Sequence, residues 1–214
     1  MSKDESKLLV AVLVAAFLWF YMFSPWTGGR PNFWLVMSFS AVVLTSLALG
    51  FGYCKTSSVK IEKPGLQVLG GIVIAFALWG IFWIGDKASA WIFSFARPQV
   101  DLVYGMKTGT NPWYIGLLLL LVIGPAEEFF WRGYVQRTMG KLLGGKDPET
   151  LALILTTTIY ALVHIWSLNF MLVMAALVAG AVWGLIYRLC PKALPALIIS
   201  HALWDCLVFV VLPI

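Results

Sequence analysis

What most restricts this chain is a succession of apolar stretches, each close to the length that crosses a bilayer. Seven spans can be drawn, at about 8–24, 33–53, 66–85, 113–136, 151–168, 170–187 and 194–212. A helical span takes about 20 apolar residues. In hydrocarbon every backbone polar group must be satisfied within the protein, which leaves helices or closed barrels. Runs this long and continuously apolar read as helices. The expectation is an all-α, polytopic membrane protein, with residues 1–214 as a single transmembrane domain. A content of 61% hydrophobic and 12% charged residues fits this and argues against a soluble globule. Eleven Trp and seven Tyr suit two membrane–water interfaces. The segment from Lys87 to Asn111 is mixed, broken by Pro98, Gly105 and Gly109, and reads as a short interfacial helix followed by a loop. The run after Lys7 ends at Ser24-Pro25-Trp26 without a small-residue cleavage site, so it reads as a retained first span.

Lys and Arg in the loops set the orientation. One side collects Lys3, Lys7, Lys55, Lys60, Lys63, Arg137, Lys141, Lys146, Arg188 and Lys192. The other has Arg30, Lys87, Arg97 and Lys107. This excess predicts a cytoplasmic N-terminus and, with seven spans, an external C-terminus. The net charge of +5 is spread over these loops. It fits anionic lipid headgroups and gives no sign of nucleic-acid binding. Cys54, Cys190 and Cys206 show neither paired nor metal-like spacing and read as free thiols.

Within the fourth span, Leu117 to Ala126 run directly into Glu127-Glu128, with Arg132 four residues on. Each ionisable group in hydrocarbon costs roughly 2.5–3.5 kcal/mol on the gentlest scales. Such groups persist where they pair, line a polar cavity or do chemistry. Arg132 is one helical turn after Glu128, so those two are the expected pair. Glu127 lies about 100° around the helix and is expected to face the histidines. Both histidines of the chain, His164 and His201, lie in apolar spans, and Asp205 is one turn after His201. At 1.5 Å per residue, Glu127 lies about 15 Å above Arg137, His201 about 13 Å above Lys192 and His164 about 20 Å above Leu151. The three meet near mid-membrane if the fifth span tilts or starts deeper. Gly124-Pro125 is either an ordinary kink or a helix restart that puts Glu127 in a first turn. Ala176, Gly180 and Gly184, at intervals of four, predict close packing of the sixth span.

A carboxylate and two histidines in a walled-off cavity suit the activation of water. The carboxylate takes a proton as water attacks a carbonyl and returns it to the leaving amine. A histidine can orient the water, and another can stabilise the oxyanion. Two His and one Glu could instead hold zinc with an open position, the set then being Glu127, His164 and His201. There is no H-E-x-x-H helix, and a metal-independent site is favoured.

The motifs Glu127-Glu128-x-x-x-Arg132, Tyr160-x-x-x-His164 and His201-x-x-x-Asp205, in this order and each on a span, resemble those of the CPBP family. This is the CAAX-processing and bacteriocin-processing, or Abi, group of intramembrane proteases, which includes enzymes of the type II CAAX prenyl endopeptidase kind. The resemblance covers roughly 113–212. It makes 113–214 the catalytic core and 1–112 the N-terminal spans with an interfacial linker. It implies an endopeptidase that cleaves near the membrane-anchored or lipidated C-terminal part of a substrate. Glu127 would activate water with His164 as partner, and His201 and Asp205 would support the oxyanion or the second side of the site. Glu128 and Arg132 would brace the site. The family usually has Phe where this chain has Tyr160. Two other readings stay open, a non-catalytic binding or immunity protein on the same scaffold and a small proton-coupled transporter. The sequence sets no oligomeric state. The first three spans carry no intramembrane charge and are expected to wall the substrate's access route.

Overall fold

The computed structural model describes residues 2–27, 32–52 and 62–214, so Arg30, Cys54, Lys55 and Lys60 lie outside the described residues. Among the described residues eight helices follow one another: α1 Lys3–Phe23, α2 Phe33–Gly50, α3 Pro64–Ile92, α4 Ala96–Gly105, α5 Pro112–Leu142, α6 Pro148–Ser167, α7 Phe170–Leu189 and α8 Pro191–Val211. All but α4 are long and apolar enough to cross a membrane, seven among the described residues. The protein is an all-helical, multi-pass membrane protein.

The helix starts are written locally. Ser2 and Glu5 form a reciprocal capping box on α1. Asn32, Asn111, Asp147 and Asn169 each accept a backbone N–H in the first turn of α2, α5, α6 and α7. Proline opens α3, α5, α6 and α8, where its missing N–H costs nothing. Between α6 and α7 the chain turns through Leu168 alone in the left-handed region, at φ 51°, before Asn169 caps the next helix.

Two expectations about the third span are corrected. It does not end near residue 85 but runs 29 residues to Ile92. It also carries a charge, since Asp86 is buried near its end and pairs with Lys87 at 3.1 Å and Arg97 at 3.3 Å. An aspartate at a span end looks like a boundary, yet here a cation from α4 covers it. α4 is the short helix expected between the third and fourth spans. Gln99 fastens it to the start of α7, where its side chain accepts the Met171 N–H and its carbonyl accepts from Asn169.

The helix α8 lies at the centre, against α3 on one side and α5 on the other. A Cβ at Gly124 would sit 2.6 Å from Ala202 Cα, so only glycine lets α5 come this close to α8. The region around Gly124-Pro125 is not a helix restart. Backbone angles stay helical throughout, and the Gly124 N–H reaches back five residues to Leu119 O. Wide π-type turns, Leu119–Ile123 and Phe129–Gln136, flank the five residues Gly124–Glu128. A turn of this width absorbs the hydrogen bond and the space that Pro125 disturbs.

Candidate active site

The polar residues of α5, α6 and α8 converge inside this bundle. Glu127, Glu128, Arg132, Tyr160, His164, His201 and Asp205 are all buried. The expected Glu128–Arg132 pair forms at 3.1 Å. Arg132 also donates through Nη2 to the Gly180 carbonyl at 3.1 Å, and its guanidinium lies over the Tyr160 and Trp183 rings at 5.0 and 5.5 Å. Those contacts desolvate the cation while supplying acceptors and ring faces in place of water.

The small residues of α7 make this possible. A Cβ at Gly180 would meet Tyr160 Cδ1 at 3.1 Å and Arg132 Nη2 at 3.5 Å. One turn on, Gln136 donates to the Gly184 carbonyl at 2.9 Å. The two glycines therefore do more than allow helices to approach. They let the α5 side chains reach the backbone of α7, and they extend the polar stripe from Glu128 through Arg132 to Gln136.

The structure corrects how the histidines are partnered. Both were expected around Glu127. Instead His201 Nδ1 meets Glu128 Oε2 at 3.0 Å, so one carboxylate oxygen serves both Arg132 and His201. The other ring nitrogen, Nε2, lies 3.6 Å from Asp205 Oδ2, too long for a hydrogen bond. The ring stacks on Trp183, centroids 4.0 Å apart at 21°, and Trp183 is anchored by its indole N–H to Ser200 Oγ at 3.1 Å. Glu127 accepts a hydrogen bond from the Tyr160 hydroxyl at 3.2 Å. Among the described residues it takes part in none of the ion pairs.

His164 sits three residues from the end of α6, in an aromatic pocket of Trp19, Phe23 and Tyr160. Its Nε2 accepts the Trp19 indole N–H at 3.1 Å, and its Nδ1 lies 2.7 Å from the Tyr160 carbonyl oxygen. Tyr160 therefore stands between the two, its hydroxyl on Glu127 and its carbonyl on His164. Glu127 and His164 each lie near enough to His201 to feel its charge, and this chain of contacts links Glu127 to His164. The set Glu127, His164 and His201 does not fit zinc as arranged. The Nε2 lone pair of His164 is taken by an N–H, and no three His, Cys, Asp or Glu side chains among the described residues are grouped to hold an ion.

Sequence reasoning missed Trp19, Gln136, Trp183 and Ser200. Gln136 alone had a signal, since it continues the four-residue spacing of Glu128 and Arg132. Nothing separates Trp19 from the ten other tryptophans.

No curated protein and no solved structure matches the chain. A family model does, "Type II CAAX prenyl endopeptidase Rce1-like", over residues 109–207. That range contains all three motifs and every polar side chain of the cluster around Glu128. Residues 109–207 are thus similar to the Rce1-like type II CAAX prenyl endopeptidase domain.

Proposed function

We propose that the protein is an intramembrane endopeptidase in which Glu127 activates water. The observation that carries this is the division of labour between adjacent glutamates. Glu128 is committed to Arg132 and His201, while Glu127, equally enclosed, keeps a single hydrogen bond from Tyr160. A carboxylate so placed can accept a proton. Water oxygen bonds to the substrate's carbonyl carbon as Glu127 takes the proton. The C–N bond then breaks as Glu127 returns that proton to the leaving amine nitrogen. The products are a carboxylic acid and an amine.

In this reading His201 stabilises the oxyanion from Nε2, the nitrogen with no short contact, and Nδ1 stays on Glu128. Asp205 orients that edge of the ring. His164 acts as the partner of Glu127, linked to it through Tyr160. Glu128 and Arg132 hold the arrangement together. No step runs through a metal.

The substrate we propose is a membrane-anchored or lipidated protein, cleaved near its C-terminal part, as the family description suggests. The face that carries Lys3, Lys7, Lys63, Lys146, Arg188 and Lys192 is proposed to be cytoplasmic, with the C-terminal end external.

The test is cleavage of prenylated and membrane-anchored peptides by the purified protein and by Glu127→Gln, each with and without a strong chelator. The variant should lose at least about 100-fold in turnover. Wild-type cleavage should survive the chelator. Full activity of the variant would overturn the reading, and zinc-restored loss with chelator would overturn its metal-free form.

A further inference from the structure

Trp19 belongs to α1, outside the residues that the family model covers, and precedes His164 by 145 positions. It is nevertheless fully buried against the site, edge-on to Trp131 and His164. An indole N–H can only donate. The His164 Nε2 that faces it must therefore offer a lone pair. A carbonyl oxygen can only accept, so the Nδ1 that faces Tyr160 O must carry the proton. Two contacts from two helices thus specify one tautomer. The alternative tautomer would set donor against donor at Trp19 and acceptor against acceptor at Tyr160, and an imidazolium would still oppose Trp19. The tautomer selected is the less common one for a neutral histidine side chain in water.

We propose that Trp19 is a positioning residue of the site, holding His164 neutral with its proton on Nδ1 and its lone pair directed at α1. The first helix is then part of the machinery. The meaning of this contact for cleavage rests on the function proposed above, whereas the tautomer itself does not.

The chain has two histidines, which makes the test direct. In full-length protein labelled with ¹⁵N at His and Trp, one histidine should show a protonated Nδ1 and a hydrogen-bonded, unprotonated Nε2. Its Nε2 should be scalar-coupled to a tryptophan Nε1 across the hydrogen bond. Loss of these signals in His164→Gln assigns them. This wild-type measurement stands even if a variant folds poorly. In Trp19→Phe the coupling should vanish and the Nε2 signal should lose its hydrogen-bonded position, while the Tyr160 carbonyl keeps the proton on Nδ1. Turnover should fall by up to about 100-fold with KM within about twofold, as expected for a misplaced group that does not bind substrate. An Nε2–H tautomer in the wild type, no coupling, or an unchanged spectrum in Trp19→Phe overturns the proposal. So does a lost Nε2 hydrogen bond with unchanged turnover. A wild-type coupling alongside an active Glu127→Gln would sink the endopeptidase reading and leave the tautomer standing. A missing coupling alongside an inactive Glu127→Gln would do the reverse.

Discussion

The two histidines are equally buried, yet they occupy opposite kinds of surroundings. His201 has carboxylate oxygens near both ring nitrogens, a guanidinium one contact away and an indole stacked on its face. His164 has a donor on one nitrogen, a carbonyl on the other and aromatic edges around it. Partners, more than burial, decide what each can do. The His164 pocket accommodates one neutral tautomer. The His201 pocket accepts a donor at either nitrogen, and only the doubly protonated ring donates to both sides at once.

The largest break in this contrast would come from Arg132→Leu. It strips Glu128 of one of its two partners while leaving it buried, and removing one member of a buried pair costs about 3–5 kcal/mol. Unfolding in mixed detergent should show that loss. Replacing Glu128 by Met in the same variant should recover much of it, because the stranded carboxylate is then gone. A loss under about 1 kcal/mol in Arg132→Leu would remove the bracing role of the pair.

A smaller effect is expected at Tyr160→Phe, which restores the residue more usual in the family the motifs resemble. The Tyr160 carbonyl on His164 is kept and only the hydroxyl on Glu127 is lost, a stability change of about 1 kcal/mol. Cleavage should persist with turnover reduced less than about tenfold, measured as kcat at saturating substrate. Inactivation by this change would mean that the hydroxyl takes part in the chemistry.

The smallest effect is expected at an ion pair outside the membrane. The Thr150 side chain and backbone, followed by Arg188, hold the Asp147 carboxyl down to about 2. A lowered value in the folded state adds stability above the unfolded value, near 4, that is lost as pH falls through about 2. Asp147→Asn should make thermal stability less steeply dependent on pH in that window. The pair shares its chemistry with Glu128–Arg132 but is exposed, so it isolates what burial contributes. A drop at neutral pH as large as that of Arg132→Leu would erase the distinction between the two settings.

Much of this molecule is legible in the order of its residues. Lipid selects long apolar runs, so the number and order of spans are close to explicit. The Glu128–Arg132 contact follows from one helical turn. The rest depends on facts without a local signature. His201 chooses Glu128 over Glu127 because α8 approaches α5 at Gly124, a contact that spacing along either helix does not encode. Asp86 resembles the end of a span until Arg97, eleven residues later, covers it. Trp19 differs from any packing tryptophan only by the nitrogen across from it.

The wide turns on either side of Gly124–Glu128 have one more consequence. A π-type turn holds one residue more than the α turn it replaces. The fifth helix therefore stores spare length both before and after its glutamates. A residue can be lost from either store by tightening the turn, with Glu127 and Glu128 keeping their facing. The same loss between Gly124 and Glu128 would swing a glutamate by about 100°. Slack on both flanks and none between turns the span into a clamp on the phase of two neighbouring carboxylates, in a helix whose overall length is left free to drift.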